Sequence, residues 1–307
     1  MRLAESARGV FVIAATPFTA DGALDLASVD RLVDFYLGRR VHGLTLLGLM
    51  GEAQKLTADE SLRVVRRVLA RVGGRVPVVV GVSNPGLAPL AALAAAAMDA
   101  GAAGVMVAPA AGLRGDEALF SYMASVFRVL DPATPVVYQD YPQSTGVYLP
   151  VPLFHRMVEA FPRLVVLKHE DAPGLAKLTQ IREEARRDGR RRVSVLVGNG
   201  ALYYPQELAR GADGAMTGFA YPEMLVEVYE RFAAGDVDAA EDVFDAYLPL
   251  LRMEHQPGIG LAVRKALLHR RGAIASPALR APGPSLTSED QREIERLIFR
   301  LERRLKS

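Results

Sequence analysis

The stretch VFVIAATPF, residues 10–18, decides between two ways of arranging alternating strands and helices. Its first six residues are all apolar, which is typical of a parallel strand buried on both faces. An open, doubly wound sheet would follow this first strand with a glycine-rich, phosphate-binding turn. Thr16, Pro17 and Phe18 stand there instead. The stretch therefore favours a closed barrel over an open sheet.

Eight apolar runs of this kind recur along the chain, with helix-like segments between them. They lie at residues 10–16, 43–48, 76–82, 104–109, 135–140, 164–168, 193–198 and 214–218. One intervening segment opens with Thr57 and Glu60 at the spacing of a capping box, which marks the start of a helix. Eight strand–helix units of this spacing predict an α/β protein with the (β/α)8 TIM-barrel fold.

The strand-like runs stop after about residue 222. Two helices are predicted around the turn AAGD, residues 233–236, and a last helix carries one apolar stripe. The residues of that stripe are Ile294, Leu297, Ile298, Leu301 and Leu305. We therefore divide the chain into a barrel, residues 1–222, and a C-terminal helical appendage packed on it, residues 223–307. The stripe is more typical of a core or subunit contact than of a partner-binding helix.

Composition excludes several classes of protein. The formal net charge of the 307 residues is only +2, which argues against a nucleic-acid-binding surface. The chain has no cysteine, so it can form neither a disulfide framework nor a thiolate metal site. It has no signal peptide pattern and no apolar run of membrane-spanning length. We expect a cytoplasmic protein that binds neither nucleic acid nor membrane.

Lys168 stands out among the basic residues. Only five of the 37 lysines and arginines are lysines, and Lys168 ends the apolar run at 164–168. The carboxyl ends of the strands hold the active site in barrels of this class. A lysine shielded from water there can lose its proton and attack a carbonyl, which an arginine cannot do. The alternative is a structural ion pair with Glu170 or Asp171, and position alone does not separate the two.

Four stretches of the chain carry a family resemblance. They are GVFVIAATPFTADGALD (9–25), GLMGEAQKLTADE (48–60), YPQSTG (141–146) and LKHEDAPG (167–174). In this order and at these distances they resemble the dihydrodipicolinate synthase/N-acetylneuraminate lyase family. The resemblance implies a class I lyase in which Lys168 forms a Schiff base with a 2-oxo acid such as pyruvate. It also implies a homo-oligomer, either a dimer or a tetramer, without a metal ion or cofactor.

The turn after the second strand departs from the family pattern. Family members usually carry two hydroxyl residues there, which contact the substrate carboxylate and relay protons, whereas this chain has Leu49 and Met50. Backbone N–H groups of the turn could still hold a carboxylate. A tyrosine pair usual after strand four is replaced by residues 109–111, Pro-Ala-Ala.

The segment after strand five departs as well. When the family pattern is anchored on Pro142, its tyrosine falls on Gln139, with Tyr138 and Tyr141 on either side. The arginine that dihydrodipicolinate synthases use for the distal carboxylate falls at Ser144. These departures argue against dihydrodipicolinate synthase as the specific activity.

Other stretches resemble the branch of the family that contains 2-keto-3-deoxy sugar acid dehydratases. They are QDYP (139–142), LKHEDAPG (167–174) and the region 253–282. A dehydratase forms the imine at C2, loses a proton from C3 and expels a hydroxyl, which needs an acid–base group but no hydroxyl relay. Aldol cleavage of such acids is the other expected reaction. A non-catalytic barrel that binds a 2-oxo acid and authentic dihydrodipicolinate synthase are alternatives, and the histidine spacing disfavours a metal-dependent aldolase.

The predicted site combines two catalytic residues with several substrate contacts. Lys168 is the nucleophile, and Tyr138 is the candidate acid–base residue, although neighbours in a strand point to opposite sides and Tyr138 could face the helices. Glu52 is expected to stabilise the turn. The predicted substrate contacts are Thr16, Leu49, Met50, Gln139, Asp140 and Met216.

Overall fold

The computed structural model describes residues 1–306 and contains a closed barrel of eight parallel strands. The strands are β1 (Gly9–Ile13), β2 (Gly43–Leu46), β3 (Val78–Gly81), β4 (Gly104–Val107), β5 (Val136–Asp140), β6 (Leu164–His169), β7 (Ser194–Val197) and β8 (Gly214–Thr217). Each strand pairs with the next, and β8 pairs with β1 to close the barrel. Each predicted apolar run overlaps one strand, so the (β/α)8 prediction is confirmed.

The strands supply two separate layers of core, because successive side chains point to opposite sides of the sheet. The inward layer fills the barrel with Phe11, Ile13, Val79, Met106, Val137, Val166, Leu196 and Met216. The outward side chains pack against the surrounding helices. Burial on both sides explains why the strand sequences show no alternation of polar and apolar residues.

Helices follow the strands and cover the barrel. They are α1 (Leu26–Gly38), α2 (Ala58–Val72), α3 (Leu87–Asp99), α4 (Asp116–Val129), α5 (Pro142–Thr145), α6 (Val151–Ala160), α7 (Leu175–Arg187), α8 (Tyr204–Ala209), α9 (Pro222–Ala233), α10 (Val237–Glu254), α11 (Gly260–Arg270) and α12 (Ser288–Arg304). Thr57 and Glu60 form the predicted capping box at the start of α2. Across residues 1–306, none of the helices combines the length and apolar character that crossing a bilayer requires.

The helices after β8 pack on one another and on the barrel. Helix α9 contacts β1 and α10, and α12 contacts α10. Within the predicted stripe of α12, Ile294, Ile298 and Leu301 are buried, Leu297 is partly buried, and Leu305 is exposed. The first four of these residues therefore add to the core. The division of the chain into domains at residue 222 stays a prediction.

Candidate active site

Lys168 lies near the carboxyl end of β6 and points into the barrel. It pairs with Gln139 of β5 and with Leu196 of β7 in the parallel ladder. Only 5% of its side chain is exposed, and its Nζ lies 2.8 Å from Oε2 of Glu170. The amine is thus held away from bulk water but touches a group that can accept its proton.

Glu170 is the centre of the polar contacts around this lysine. Besides its contact with Lys168, its Oε2 accepts a hydrogen bond of 2.7 Å from Nε2 of Gln139. Its backbone N–H donates to the carbonyl of Asp140, and its own carbonyl accepts a hydrogen bond from the side chain of Asn199. These contacts fix the backbone and the carboxylate of Glu170 between β5 and the segment that follows β7.

Gly198 leaves the space that the Glu170 side chain occupies. A Cβ atom at position 198 would lie 2.2 Å from Cγ of Glu170, closer than two non-bonded carbon atoms can approach. The backbone of Gly198 has a φ of −111° and a ψ of −132°, a combination that lies outside the helical and extended regions that other residues prefer. Close packing against Glu170 and backbone conformation therefore both favour glycine here.

The turn from Gly48 to Glu52 follows β2 and packs closely on the segment after β1. Thr16 donates a hydrogen bond of 2.6 Å from its hydroxyl to the carbonyl of Gly51. A Cβ atom on Gly51 would lie 3.2 Å from the carbonyl oxygen of Ala14, which leaves little room for a side chain. Thr16 therefore holds the turn in place.

The Glu52 carboxylate ties this turn to the C-terminal part of the chain. Its Oε1 accepts a hydrogen bond of 2.6 Å from Nζ of Lys265 on α11. Its Oε2 accepts hydrogen bonds from Nζ of Lys55 and from the backbone N–H of Arg280. Burial lowers the pKa of Lys265, and the Glu52 carboxylate opposes that shift. The fully buried Glu52 thus stabilises the turn.

Leu49 and Met50 lie at the carboxyl ends of the strands, which we call the barrel mouth, but their surroundings differ. Leu49 lines a cavity of about 530 Å³ and is 46% exposed, whereas Met50 packs against the inward layer of the barrel. Gln139 also lines the cavity and links it to Glu170 and Lys168. The polar wall residues are Gln54, Ser61, Ser83, Asn84, Gln139, Tyr141, Ser144 and Thr145. Among the described residues, none that lines this cavity is charged.

Tyr138 and Asp140 point away from Lys168, toward the helices. Tyr138 is fully buried in the outward layer, and its hydroxyl has no hydrogen-bond partner within residues 1–306. Burial first, and the Asp140 charge second, raise its pKa well above the ordinary value. The Asp140 carboxylate accepts a hydrogen bond of 2.6 Å from Nζ of Lys177, and Nδ1 of His169 lies 3.6 Å from it. The structure does not bring either residue together with Lys168.

The structure therefore assembles only part of the predicted set around the lysine. Gln139 contacts the same carboxylate as Lys168, whereas Met216 is buried in the inward layer beside Phe11. The sequence predicts Glu170 as an ion-pair partner of Lys168 but not as a catalytic residue. Its signal was the spacing of two from Lys168, which puts both side chains on one side of an extended chain. Across residues 1–306, no cluster of three or more His, Asp or Glu side chains is placed to hold a metal ion.

Comparison with known proteins covers almost the whole chain. The model of the dihydrodipicolinate synthetase family matches residues 6–301. The chain is 34% identical over 299 residues to an L-2-keto-3-deoxyarabonate dehydratase from Azospirillum brasilense, covering 96% of this chain and 94% of the relative. It is also 34% identical over 303 residues to a 4-hydroxy-tetrahydrodipicolinate synthase from Sorangium cellulosum, covering 96% of each.

Solved structures support the same assignment. The crystal structure of dihydrodipicolinate synthase from Rhodopseudomonas palustris matches with a TM-score of 0.95 and 45% sequence identity, covering 98% of this chain and 99% of that one. A putative dihydrodipicolinate synthetase from Pseudomonas aeruginosa matches with a TM-score of 0.87 and 27% identity, covering 96% and 99%. The family predicted from the sequence motifs is confirmed: the chain belongs to the dihydrodipicolinate synthetase family and is a lyase of that family.

Proposed function

We propose that this lyase dehydrates a 2-keto-3-deoxy sugar acid through a Schiff base on Lys168. The observation that carries the proposal is the buried amine of Lys168 at the barrel mouth, 2.8 Å from the Glu170 carboxylate. The amine attacks the C2 carbonyl, and loss of water gives a protonated imine. The imine withdraws electrons from C3, so a C3 proton and then the C4 hydroxyl can leave.

The contact with Glu170 supports Lys168 as a nucleophile. Imine formation requires the amine without its extra proton, and an ordinary lysine is neutral in only about one molecule in 2,500 at pH 7. The Glu170 carboxylate lies 2.8 Å from Nζ of Lys168 and can accept the proton that the amine loses. The carboxylate thus gives the amine a direct proton acceptor.

The side chains around the amine support dehydration over condensation. Leu49 and Met50 carry no hydroxyl, and Gln139 presents an amide at the inward position of β5. None of these three side chains has a hydroxyl, which can donate and accept a proton at the same atom, so they cannot form a hydroxyl relay. Dehydration needs one proton carrier beside the imine rather than a relay.

The cavity beside Gln139 supports a substrate with a neutral, hydroxylated tail. Its wall offers amide and hydroxyl groups but no cation. A substrate with a second carboxylate on its tail would place that charge in this cavity. The carboxylate would lose hydration there without gaining a charged partner, which is unfavourable. A dehydratase of this substrate class is also among the relatives, since the Azospirillum brasilense protein is named for L-2-keto-3-deoxyarabonate.

The condensation reaction of dihydrodipicolinate synthase is the second candidate. The 45% identity to the Rhodopseudomonas palustris protein of that name favours it. The positions of Leu49, Met50 and Gln139 argue against it, because all three lack the hydroxyl found in the family pattern.

Borohydride trapping tests the Schiff base. Wild-type protein is reduced in the presence of pyruvate and then analysed by intact and peptide mass spectrometry. We expect one adduct on Lys168. The Lys168→Arg variant is the matched control, because it keeps a positive charge beside Glu170 but cannot form an imine. Absence of any adduct with pyruvate and longer 2-oxo acids would refute the proposed function.

A substrate panel then separates the reactions. Each 2-keto-3-deoxy pentonate or hexonate is incubated with the enzyme, and the products are analysed by mass. Loss of one water supports dehydration, whereas release of pyruvate identifies aldol cleavage. Turnover only in a dihydrodipicolinate synthase assay would establish the second candidate. Imine formation without any turnover would identify a 2-oxo acid binder.

A further inference from the structure

The proposed dehydration requires a group that removes a proton from C3 and a group that protonates the leaving hydroxyl. Tyr138 faces the helices, and Gln139 carries an amide that does not titrate. Glu170 is the carboxylate in direct contact with Nζ of Lys168, the atom that would carry the imine. We propose that Glu170 is the catalytic acid–base residue for both proton transfers, an inference that rests on the proposed function.

The geometry places Glu170 within reach of C3. In the imine, C2 is bonded to Nζ of Lys168, and C3 is only two bonds from that nitrogen. The Glu170 oxygen lies 2.8 Å from Nζ, so a rotation of the Glu170 side chain can carry it to a C3 hydrogen. The hydrogen bond from Gln139 and the bond from Asn199 to the backbone hold Glu170 in this position before substrate arrives.

A single carboxylate can carry out both proton transfers, from C3 and to the C4 hydroxyl. Glu170 first takes a proton from C3, and the electrons of that C–H bond form a C2=C3 double bond, which converts the iminium into an enamine. The carboxylic acid then returns the proton to the C4 hydroxyl as the C4–O bond breaks and water leaves. The enamine electrons form a C3=C4 double bond and restore the iminium. Water hydrolyses the iminium, which frees Lys168 and a 2-oxo-3-ene acid.

Tyr141 is the rival proton carrier. It lines the cavity, and its pKa is raised by burial and, secondly, by the negative charge of Glu170. A phenol that keeps its proton more firmly than usual can donate a hydrogen bond, but it is a poor base for a C–H proton. Glu170 has both the contact with Lys168 and the chemistry of a base.

Pyruvate isolates the first proton transfer, because it has C3 hydrogens but no leaving hydroxyl. The exchange of its methyl hydrogens for deuterium in D2O is followed by proton NMR. The fraction of Lys168 held as imine is measured in parallel by borohydride trapping at saturating pyruvate. The quantity compared is the exchange rate per imine, which is the rate of hydrogen exchange divided by the fraction of Lys168 held as imine. Four variants are compared with the wild type: Glu170→Gln, Glu170→Asp, Tyr141→Phe and Tyr138→Phe.

We expect Glu170→Gln to form the imine more slowly, because the amine loses its proton acceptor, and the imine that forms at saturating pyruvate to exchange at least about 100-fold more slowly, a loss typical of removing an acid–base group. Glu170→Asp should give an intermediate rate, because it keeps a shorter carboxylate. Tyr138→Phe is the matched control and should exchange like the wild type. If Glu170→Gln does not fold, as judged by circular dichroism, Glu170→Asp decides: a slowed rate supports the proposal, and an unchanged rate overturns it.

Three other results would overturn the inference. The first is a Glu170→Gln variant whose exchange rate per imine equals that of the wild type. The second is loss of exchange in Tyr141→Phe while Glu170→Gln retains it. The third is a folded Glu170→Gln variant that forms no imine even after long incubation, because Glu170 would then act only in activating Lys168. A wild-type protein that forms no imine would instead refute the proposed function itself.

Discussion

The polar centre of the site consists of one lysine, one carboxylate and one amide. Lys168 and Gln139 both contact Oε2 of Glu170, at 2.8 and 2.7 Å. Gln139 reaches this point from β5, and Lys168 and Glu170 reach it from the end of β6, so a small shift between the two strands changes these contacts. Precise placement of Glu170 is therefore the property on which the proposed chemistry depends.

Gly198 offers a direct test of that placement. In Gly198→Ala, the new methyl group would overlap Cγ of Glu170 and push the carboxylate from its position. We expect turnover to fall by roughly 100-fold, the size of effect that a displacement of about 1 Å can have, while imine formation persists. Steady-state kinetics and borohydride trapping measure the two effects.

Gly38→Ala is the matched control for this substitution. Gly38 lies at the end of α1, and nothing lies within 4 Å of an added Cβ atom. Activity should match the wild type. Equal activity of Gly198→Ala and wild type would contradict the positional requirement for Glu170.

Single residues also show where the sequence could and could not predict the site. The place of Lys168 near a strand end was predictable because a lone lysine ends an apolar run, and its catalytic role stays a prediction. The choice between Tyr138 and Gln139 was not predictable, since a one-residue change in strand register exchanges inward and outward side chains. In the structure Gln139 pairs with Lys168, and Tyr138 pairs with Leu167.

At the scale of elements, an irregularity in the pairing of β5 with β6 determines which residue of β5 lies next to Lys168. Val136 pairs with Leu164, but the next residue, Val137, pairs with Val166, so Val165 is an extra residue in β6. Such a bulge changes which side chains lie next to each other beyond it. The apolar sequence LVVL contains no signal for it, which explains why sequence patterns did not determine the neighbours of Lys168.

The contact between the β2 turn and α11 yields a stability prediction. Glu52→Gln leaves Lys265, which is fully buried, without its negative partner. Breaking one side of a buried ion pair typically lowers the free energy of unfolding by about 3–5 kcal/mol. Urea denaturation measures the loss. The double variant Glu52→Gln/Lys265→Met should regain part of it, because it removes the unpaired charge.

A surface ion pair provides the control for this prediction. Glu227 and Arg231 on α9 are 48% and 41% exposed, and removing such a pair changes stability by less than about 1 kcal/mol. We therefore expect Glu227→Gln to unfold close to the wild type. Similar small losses for Glu52→Gln and Glu227→Gln would rule out a supporting role for the buried pair.

Helix α8 carries a buried acid that makes stability depend on pH. Burial raises the pKa of Glu207 from 4.5 to about 7, and His169 partly opposes this shift. Below pH 4.5 Glu207 is protonated in both the folded and the unfolded chain, so it does not make the free energy of unfolding depend on pH. As pH rises to 7, the unfolded chain releases the proton while the folded chain retains it, so stability falls by about 3 kcal/mol.

Glu207→Gln tests the sign of this dependence. The variant should unfold at a higher temperature than the wild type at pH 8, and at about the same temperature at pH 4.5. Calorimetric scans at both pH values give the comparison. A variant that is less stable than the wild type at pH 8 would show that the ionised carboxylate is favourable in the fold.

At the scale of the whole molecule, the barrel was predictable because the same sequence pattern, an apolar run followed by a helical segment, occurs eight times. Every parallel strand must be apolar on both faces, and every run is separated by enough residues for a helix. The contacts between the C-terminal helices and the barrel were not predictable. Pairs such as Glu52 and Lys265 are far apart in sequence, and neither residue carries a motif that names its partner.

The family resemblance predicts a dimer or tetramer. Sedimentation equilibrium at several protein concentrations should give two or four times the mass of one chain. The mass of a single chain at every concentration would contradict this prediction.

The contact between Glu52 and Lys265 also has a consequence for the order in which the molecule is completed during protein synthesis. The β2 turn leaves the ribosome early with Lys55 beside Glu52, but Lys265, the second cation on this buried carboxylate, is more than two hundred residues away and emerges late. Until then the Glu52 carboxylate has only one of its two cations. The mouth of the barrel therefore takes its final form only when α11 is available, which links the maturation of the proposed active site to the synthesis of the C-terminal helices.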